Sequence, residues 1–200
     1  MGRRFVDQRR RDPYYRAAQR DGLRSRAAFK LSYLDDRFHL FRRGARVLDL
    51  GAAPGGWSVV ALERVGTSGS VVAVDPRPIE PTERLRIVRA RVGDPSLIDR
   101  LGPEPFDVVL SDMSPSISGA YATDHARSVE LARLAWTLAQ RVLAPGGAFV
   151  AKVFNGDMVD ALVTEVRPRF GRVVRTKPPA SRAPSSEIYL VALDFGRAPS

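Results

Sequence analysis

Residues 47–57 read Val-Leu-Asp-Leu-Gly-Ala-Ala-Pro-Gly-Gly-Trp, an apolar run that turns through glycines into a second apolar segment. A buried strand, a turn and a helix in that order confine the chain to few folds. A turn lacking Cβ atoms lets the backbone approach a ligand at the strand's carboxyl end. Comparable apolar runs recur at 46–50, 70–75, 85–88, 106–110, 148–153, 173–174 and 187–193. Most are continuous rather than alternating, as strands covered on both faces require. Helical periodicity falls between them. Residues 24–41 carry Ala27, Leu31, Leu34 and Phe38 on one face; 57–65 follow the glycines; Asp94-Pro95 opens a short helix; 124–143 stop at Ala144-Pro-Gly-Gly147; and 157–170 are interrupted by Pro168. The alternation predicts an α/β fold, a mostly parallel seven-stranded sheet flanked by helices, with ligands gathered at the strands' carboxyl ends.

The glycine turn fits neither common phosphate motif. A dinucleotide fingerprint needs glycine where Ala53 stands, and a P-loop needs Gly-Lys-Ser/Thr where Gly55-Gly56 runs into Trp57. Asp49, just ahead of the glycines, disfavours phosphate and suits a cation such as the amino end of S-adenosylmethionine. Asp75 closes the second strand, where an acid accepts hydrogen bonds from a ribose diol. Asp94, after the third strand, is placed to accept from an adenine amino group. The plainer alternatives are that Asp75 and Asp94 serve as turn or cap residues and Trp57 as core.

Two hundred residues with 44% hydrophobic content predict one globular domain. No apolar stretch reaches membrane-span length, and the first residues lack the apolar centre of a signal peptide, so a cytoplasmic protein is expected. The absence of cysteine excludes disulfides and thiolate chemistry, and with two histidines no metal is implied. The net charge of +10 points to a polyanion. Residues 1–26 hold nine arginines against three aspartates, a net +6 that leaves only +4 for the remainder. The expected division is a basic arm over 1–22, a single domain over 23–196 and a tail over 197–200.

Six segments, taken in order, resemble the RrmJ/FtsJ family of S-adenosylmethionine-dependent ribosomal RNA ribose 2′-O-methyltransferases. They are Gly22-Leu-Arg-Ser-Arg-Ala-Ala-Phe-Lys-Leu31, Asp49-Leu-Gly-Ala-Ala-Pro-Gly-Gly-Trp-Ser58, Leu110-Ser-Asp-Met-Ser-Pro115, Leu143-Ala-Pro-Gly-Gly147, Lys152-Val-Phe154 and Ser185-Ser-Glu-Ile-Tyr189. The resemblance implies a Rossmann-like class I methyltransferase fold and a catalytic tetrad of Lys30, Asp112, Lys152 and Glu187. It implies a cofactor site drawn from Asp49, Gly51, Ala52, Pro54, Gly55, Gly56, Trp57, Asp75, Asp94 and Asp112. The substrate it implies is a uridine in the RNA of the large ribosomal subunit, modified by a monomer. Transfer RNA is the alternative substrate, and a noncatalytic RNA-binding assembly factor the alternative from another class. Two departures stand out: Ala28, where relatives often carry an aromatic, and Pro76 directly after Asp75.

Lysine usage supports the tetrad independently. The chain has three lysines, Lys30, Lys152 and Lys177, among 32 basic residues, and two of them fall at tetrad positions. Arginine does not titrate usefully, whereas a buried lysine beside another cation can become a neutral amine. Lys152 also interrupts an apolar strand, where an unpaired charge is costly. It is therefore expected to be the general base, oriented by Asp112, with Lys30 depressing its pKa and Glu187 holding the lysines. Arg24, Arg26, Lys177 and Arg182 are the expected RNA contacts, and 114–122 is expected either to close over the target nucleotide or to serve as a connector.

Overall fold

The computed structural model describes residues 27–179 and 185–197. Helix α1 (Ala27–Phe38) precedes the first βαβ unit, strand β1 (Arg46–Leu50), helix α2 (Gly56–Val65) and strand β2 (Ser70–Val74). Strand β3 (Leu85–Val88), helix α3 (Leu97–Leu101), strand β4 (Phe106–Ser111), helix α4 (Tyr121–Val142) and strand β5 (Leu143–Phe154) follow. Helix α5 (Val159–Val166), a 3₁₀ turn (Arg167–Arg169), strand β6 (Phe170–Thr176) and strand β7 (Glu187–Phe195) close the chain. The seven strands form one sheet in the order β3-β2-β1-β4-β5-β7-β6, and β7 alone runs against the others. The expected fold class is the observed one.

Strand periodicity divides the core. Val47, Val71, Val108, Leu110, Ala148 and Val150 pack on the face that carries α1 and α2, while Leu48, Leu50, Val72, Val109, Phe149 and Ala151 pack on the face that carries α4 and α5. Lys152 therefore lies on the α1 face of β5, two residues beyond Val150. Trp136 fills the opposite face against Phe149 and Phe170, at centroid distances of 5.7 and 5.5 Å.

Several boundaries differ from the sequence reading. Helix α4 begins at Tyr121 rather than 124 because Asp124 reaches back as a loop anchor. Its carboxylate accepts from the Ser118 N–H and hydroxyl, both at 2.8 Å, and from the Gly119 N–H at 3.1 Å. Ala144-Pro-Gly-Gly147 belongs to β5, whose pairing with β4 shifts register between Phe106 and Val108. Pro168 converts the end of α5 into a 3₁₀ turn, so β6 starts at Phe170 rather than 173. Helix α1 ends at Phe38 rather than 41, followed by His39 at φ 53°.

Candidate active site

The strand order reverses between β1 and β4, and their carboxyl ends open a crevice, the usual ligand position in such sheets. A cavity of about 640 Å³ occupies it, bordered by Gly51, Ala53, Asp75, Arg77, Asp112 and Lys152. Gly51 (φ 75°) admits no side chain, since an added Cβ would stand 2.7 Å from the Met113 side chain. Gly55 (φ 107°) turns the chain into α2.

Of the expected cofactor residues, Gly51, Asp75 and Asp112 border this cavity. Ala52 is instead buried against Ala73 and Ile79, Pro54 is exposed, and Gly55 and Gly56 form the start of α2. Trp57 is drawn away from the cavity: its Nε1–H donates to the Ala27 carbonyl at 2.8 Å and its ring packs 5.7 Å from Tyr189. This is the core alternative for an aromatic entering a helix. Asp94 turns its carboxylate to the Ser96 N–H and hydroxyl, at 2.9 and 2.8 Å, as a half-buried residue ahead of α3. Those bonds hold it below the usual carboxylate range.

Asp75 is buried and fully hydrogen-bonded. It accepts from the Ala53 N–H at 3.0 Å, the Arg77 N–H at 2.8 Å and the Arg77 guanidinium on both oxygens, each at 3.1 Å. Burial alone would raise its pKa, but Arg77 and the two backbone donors outweigh that and lower it. Sequence reading missed Arg77, although an arginine two residues beyond an expected ribose acid is a visible cue.

Asp49 lies beneath the glycine turn with no exposed surface. Ser58 donates to one oxygen at 2.6 Å, while the other has no hydrogen-bond partner. Burial, opposed by Ser58 and reinforced by the charges of Asp112 and Asp75, pushes its pKa up to about 7. Asp49 does not itself line the cavity, but its unsatisfied carboxyl lies two residues before Gly51, which does, and it favours a ligand carrying positive charge, as expected for S-adenosylmethionine. The folded protein therefore keeps a proton that the unfolded chain releases between about pH 4 and 7, so Asp49 lowers stability progressively as pH rises through that window. Asp49→Asn should remove this slope, as read by thermal melts from pH 4.5 to 8, and should weaken binding of a cationic ligand.

The four tetrad candidates form two ion pairs on the α1 face. Lys30 Nζ, from α1, lies 2.6 Å from Glu187 Oε2 at the start of β7. Lys152 Nζ lies 3.1 Å from Asp112 Oδ1 and donates to the Asp112 carbonyl at 2.8 Å. Both ammonium groups are nearly buried, with side-chain exposures of 5% and 6%. Tyr189 joins the pairs: its hydroxyl donates to Asp112 Oδ1 at 3.0 Å and its ring lies 5.8 Å from Lys30 Nζ. Antiparallel register sets Tyr189 opposite Lys152 and Glu187 opposite Phe154. Tyr189 was missed as a site residue, though its spacing of two from Glu187 places both on one strand face.

Lys177 is exposed and donates to the Ser185 carbonyl at 2.7 Å. The other expected RNA contacts, Arg24, Arg26 and Arg182, lie outside the described residues. No described helix is long and apolar enough to cross a membrane.

Comparison with known proteins adds independent information. Residues 23–195 match the FtsJ-like methyltransferase family. Proteins named ribosomal RNA large subunit methyltransferase E are similar along nearly the whole chain. The Halorubrum lacusprofundi protein is 47% identical, covering 94% of this chain and 72% of its own. The Methanothermobacter thermautotrophicus protein is 45% identical, covering 98% and 95%. A solved Plasmodium falciparum structure described as a ribosomal RNA methyltransferase superposes with a TM-score of 0.76 at 29% identity, covering 87% of this chain and all of that one. A Thermotoga maritima S-adenosylmethionine-dependent O-methyltransferase, at 14% identity and TM-score 0.59 over 86% of this chain and 66% of its own, shares the fold.

Proposed function

Because this chain belongs to the FtsJ-like methyltransferase family, we propose that it methylates the 2′-hydroxyl of a uridine ribose in large-subunit ribosomal RNA. The observation that carries this reading is the paired arrangement Lys30–Glu187 and Lys152–Asp112, tied through Tyr189 at the edge of a cavity suited to a cationic donor. Relatives named for large-subunit RNA favour that substrate over transfer RNA.

S-adenosylmethionine, when bound, supplies an electrophilic methyl group on a sulfonium whose departure leaves a neutral thioether. Asp75 would hold the donor's ribose diol and Asp49 would balance its positive end. Lys152 would act as the base that takes up the 2′-hydroxyl proton at Nζ. Asp112 fixes Nζ through its carboxylate and its carbonyl, so the amine's lone pair has one direction left to point. Lys30, held by Glu187, keeps a second positive charge near the reacting oxygen. Positioning of the two reactants contributes several kcal/mol beyond any base. In the same reading the protein acts as a cytoplasmic monomer, residues 23–196 form the catalytic domain, and the basic residues 1–22 track RNA phosphates together with Arg24, Arg26, Lys177 and Arg182.

All acceptor positions of the Asp75 carboxylate are taken by Ala53 and Arg77, so a ribose diol must displace the Arg77 guanidinium. Asp75→Ala is expected to weaken S-adenosylmethionine binding by about 1.5–3 kcal/mol, whereas Arg77→Ala should leave affinity unchanged or raised. Calorimetric titration of both variants distinguishes a ribose acceptor from a purely structural ion pair.

The decisive test is a map of 2′-O-methyl sites in RNA from cells with and without the protein. Loss of one large-subunit ribosomal uridine signal is expected. Loss confined to transfer RNA would overturn the substrate assignment, and an unchanged map would overturn the activity.

A further inference from the structure

We propose that Tyr121, clamped to the backbone just beyond the end of β5, is a platform on which an unpaired base of the RNA substrate stacks; this rests on the function proposed above. Ile117 and Tyr121 are the large apolar side chains left exposed among the described residues, at 66% and 59%. An isolated exposed aromatic is unremarkable, but Tyr121 is anchored. Its hydroxyl donates to the carbonyl of Asn155, three residues beyond Lys152. One side of its ring lies along His125, with centroids 6.2 Å apart and planes at 11°.

His125 is itself buried and fixed. Its Nδ1 is 2.9 Å from the Phe154 carbonyl, and its Nε2 accepts from the Met158 N–H at 3.2 Å. The loop leading to Tyr121 is tied down by Asp124 through Ser118 and Gly119, and its first part, Met113, Ser114 and Ser116, borders the donor cavity. The aromatic ring is thus held at the end of a loop whose first part borders the donor cavity.

The chemistry of the occupant follows from ring and charge together. A fixed ring with an accessible side offers stacking at little cost in side-chain entropy, and single-stranded RNA is recognised by stacking splayed bases on such rings. The chain's net charge of +10 favours a polyanion over an apolar protein surface. Stacking would hold one base of the substrate beyond the end of β5, so Tyr121 is an RNA-binding residue rather than a catalytic one.

The test uses the full chain. With large ribosomal subunits from cells lacking the protein as substrate, Tyr121→Ala should raise the KM for subunits about 10-fold, with kcat and S-adenosylmethionine affinity retained. Tyr121→Phe, which keeps the ring, should restore most of the loss. Tyr121→Trp supplies a direct signal, because both native tryptophans are buried. Its added fluorescence should be quenched by poly(U) and much less by an RNA duplex, whose bases are already stacked. An unchanged KM in Tyr121→Ala, or equal quenching by poly(U) and duplex, overturns the proposal. So does weakened association with subunits without any change in poly(U) binding, which would indicate a protein partner. If the unaltered protein leaves the subunits unmethylated, the proposed function fails, and the stacking proposal stands or falls on the contrast between poly(U) and duplex.

Discussion

Lys152→Arg is expected to lower turnover by about 100-fold or more, the usual scale for loss of a general base. The substitution keeps a positive charge beside Asp112 but replaces an amine, which can act as a base, with a guanidinium, which does not give up its proton. Because Lys152 Nζ is held 3.1 Å from Asp112 Oδ1 and 2.8 Å from the Asp112 carbonyl, in a side chain only 6% exposed, a guanidinium also has to find additional room. Turnover under saturating cofactor and RNA should therefore be compared with thermal melts and cofactor titration of the same preparation, so that a packing defect is separated from a chemical one. With folding and binding intact, the expected result is a loss in kcat. Near-native turnover would mean that the hydroxyl proton leaves by another route and that Lys152 serves only as a positioning cation.

Glu187→Gln is expected to cost about 3 kcal/mol of stability, the lower end of the range for removing one partner of a buried ion pair, because Glu187 keeps 20% exposure. For a chain of this length that corresponds to a fall in Tm of roughly 10 °C. The cost comes from Lys30, whose ammonium is buried under α1 and loses its carboxylate at 2.6 Å. Replacing both partners in Lys30→Met/Glu187→Gln should recover much of the stability while leaving the enzyme inactive, since no unpaired ammonium remains and the second cation near Lys152 is gone. Melts of both single variants and the double variant form a cycle that isolates the pair. Equal stability of Glu187→Gln and the unaltered protein would show that Lys30 has enough other stabilisation to make Glu187 dispensable to the fold.

The Lys30–Glu187 pair also illustrates what a sequence conceals. Val47, Leu48 and Leu50 announce a buried strand through composition alone, and the glycines after them announce a close backbone approach, because both signals are carried by neighbouring residues. Lys152 was legible as an amine in an apolar strand. Its partner Asp112 came from the family resemblance, but Tyr189, which shares that carboxylate, did not, since a strand shows which residues share a face but not which strand lies beside them. Trp57 and Asp94 illustrate the same limit from the other side. Each occupies a motif position, yet Trp57 is claimed by the Ala27 carbonyl and Tyr189, and Asp94 by Ser96. Boundaries shifted for a related reason: the start of α4 depended on Asp124 bonding backward to Ser118 and Gly119, a choice that helix periodicity does not encode.

From the sequence alone came the α/β class, the order of strands and helices, the glycine turn at the end of β1, the basic charge and the singular placement of two lysines in an arginine-rich chain. These are local or compositional properties, written in runs of apolar residues and in the choice of one cation over another. The tertiary structure confined Glu187 to Lys30, placed Tyr189 between the two pairs, set Arg77 on Asp75 and left Asp49 without a partner for one oxygen. The physical reason is strand order. β7 enters antiparallel between β5 and β6, bringing Glu187 to Lys30 across 157 positions of sequence and setting Tyr189 opposite Lys152. That register follows from packing the whole sheet, whose non-local contacts no short stretch of sequence specifies.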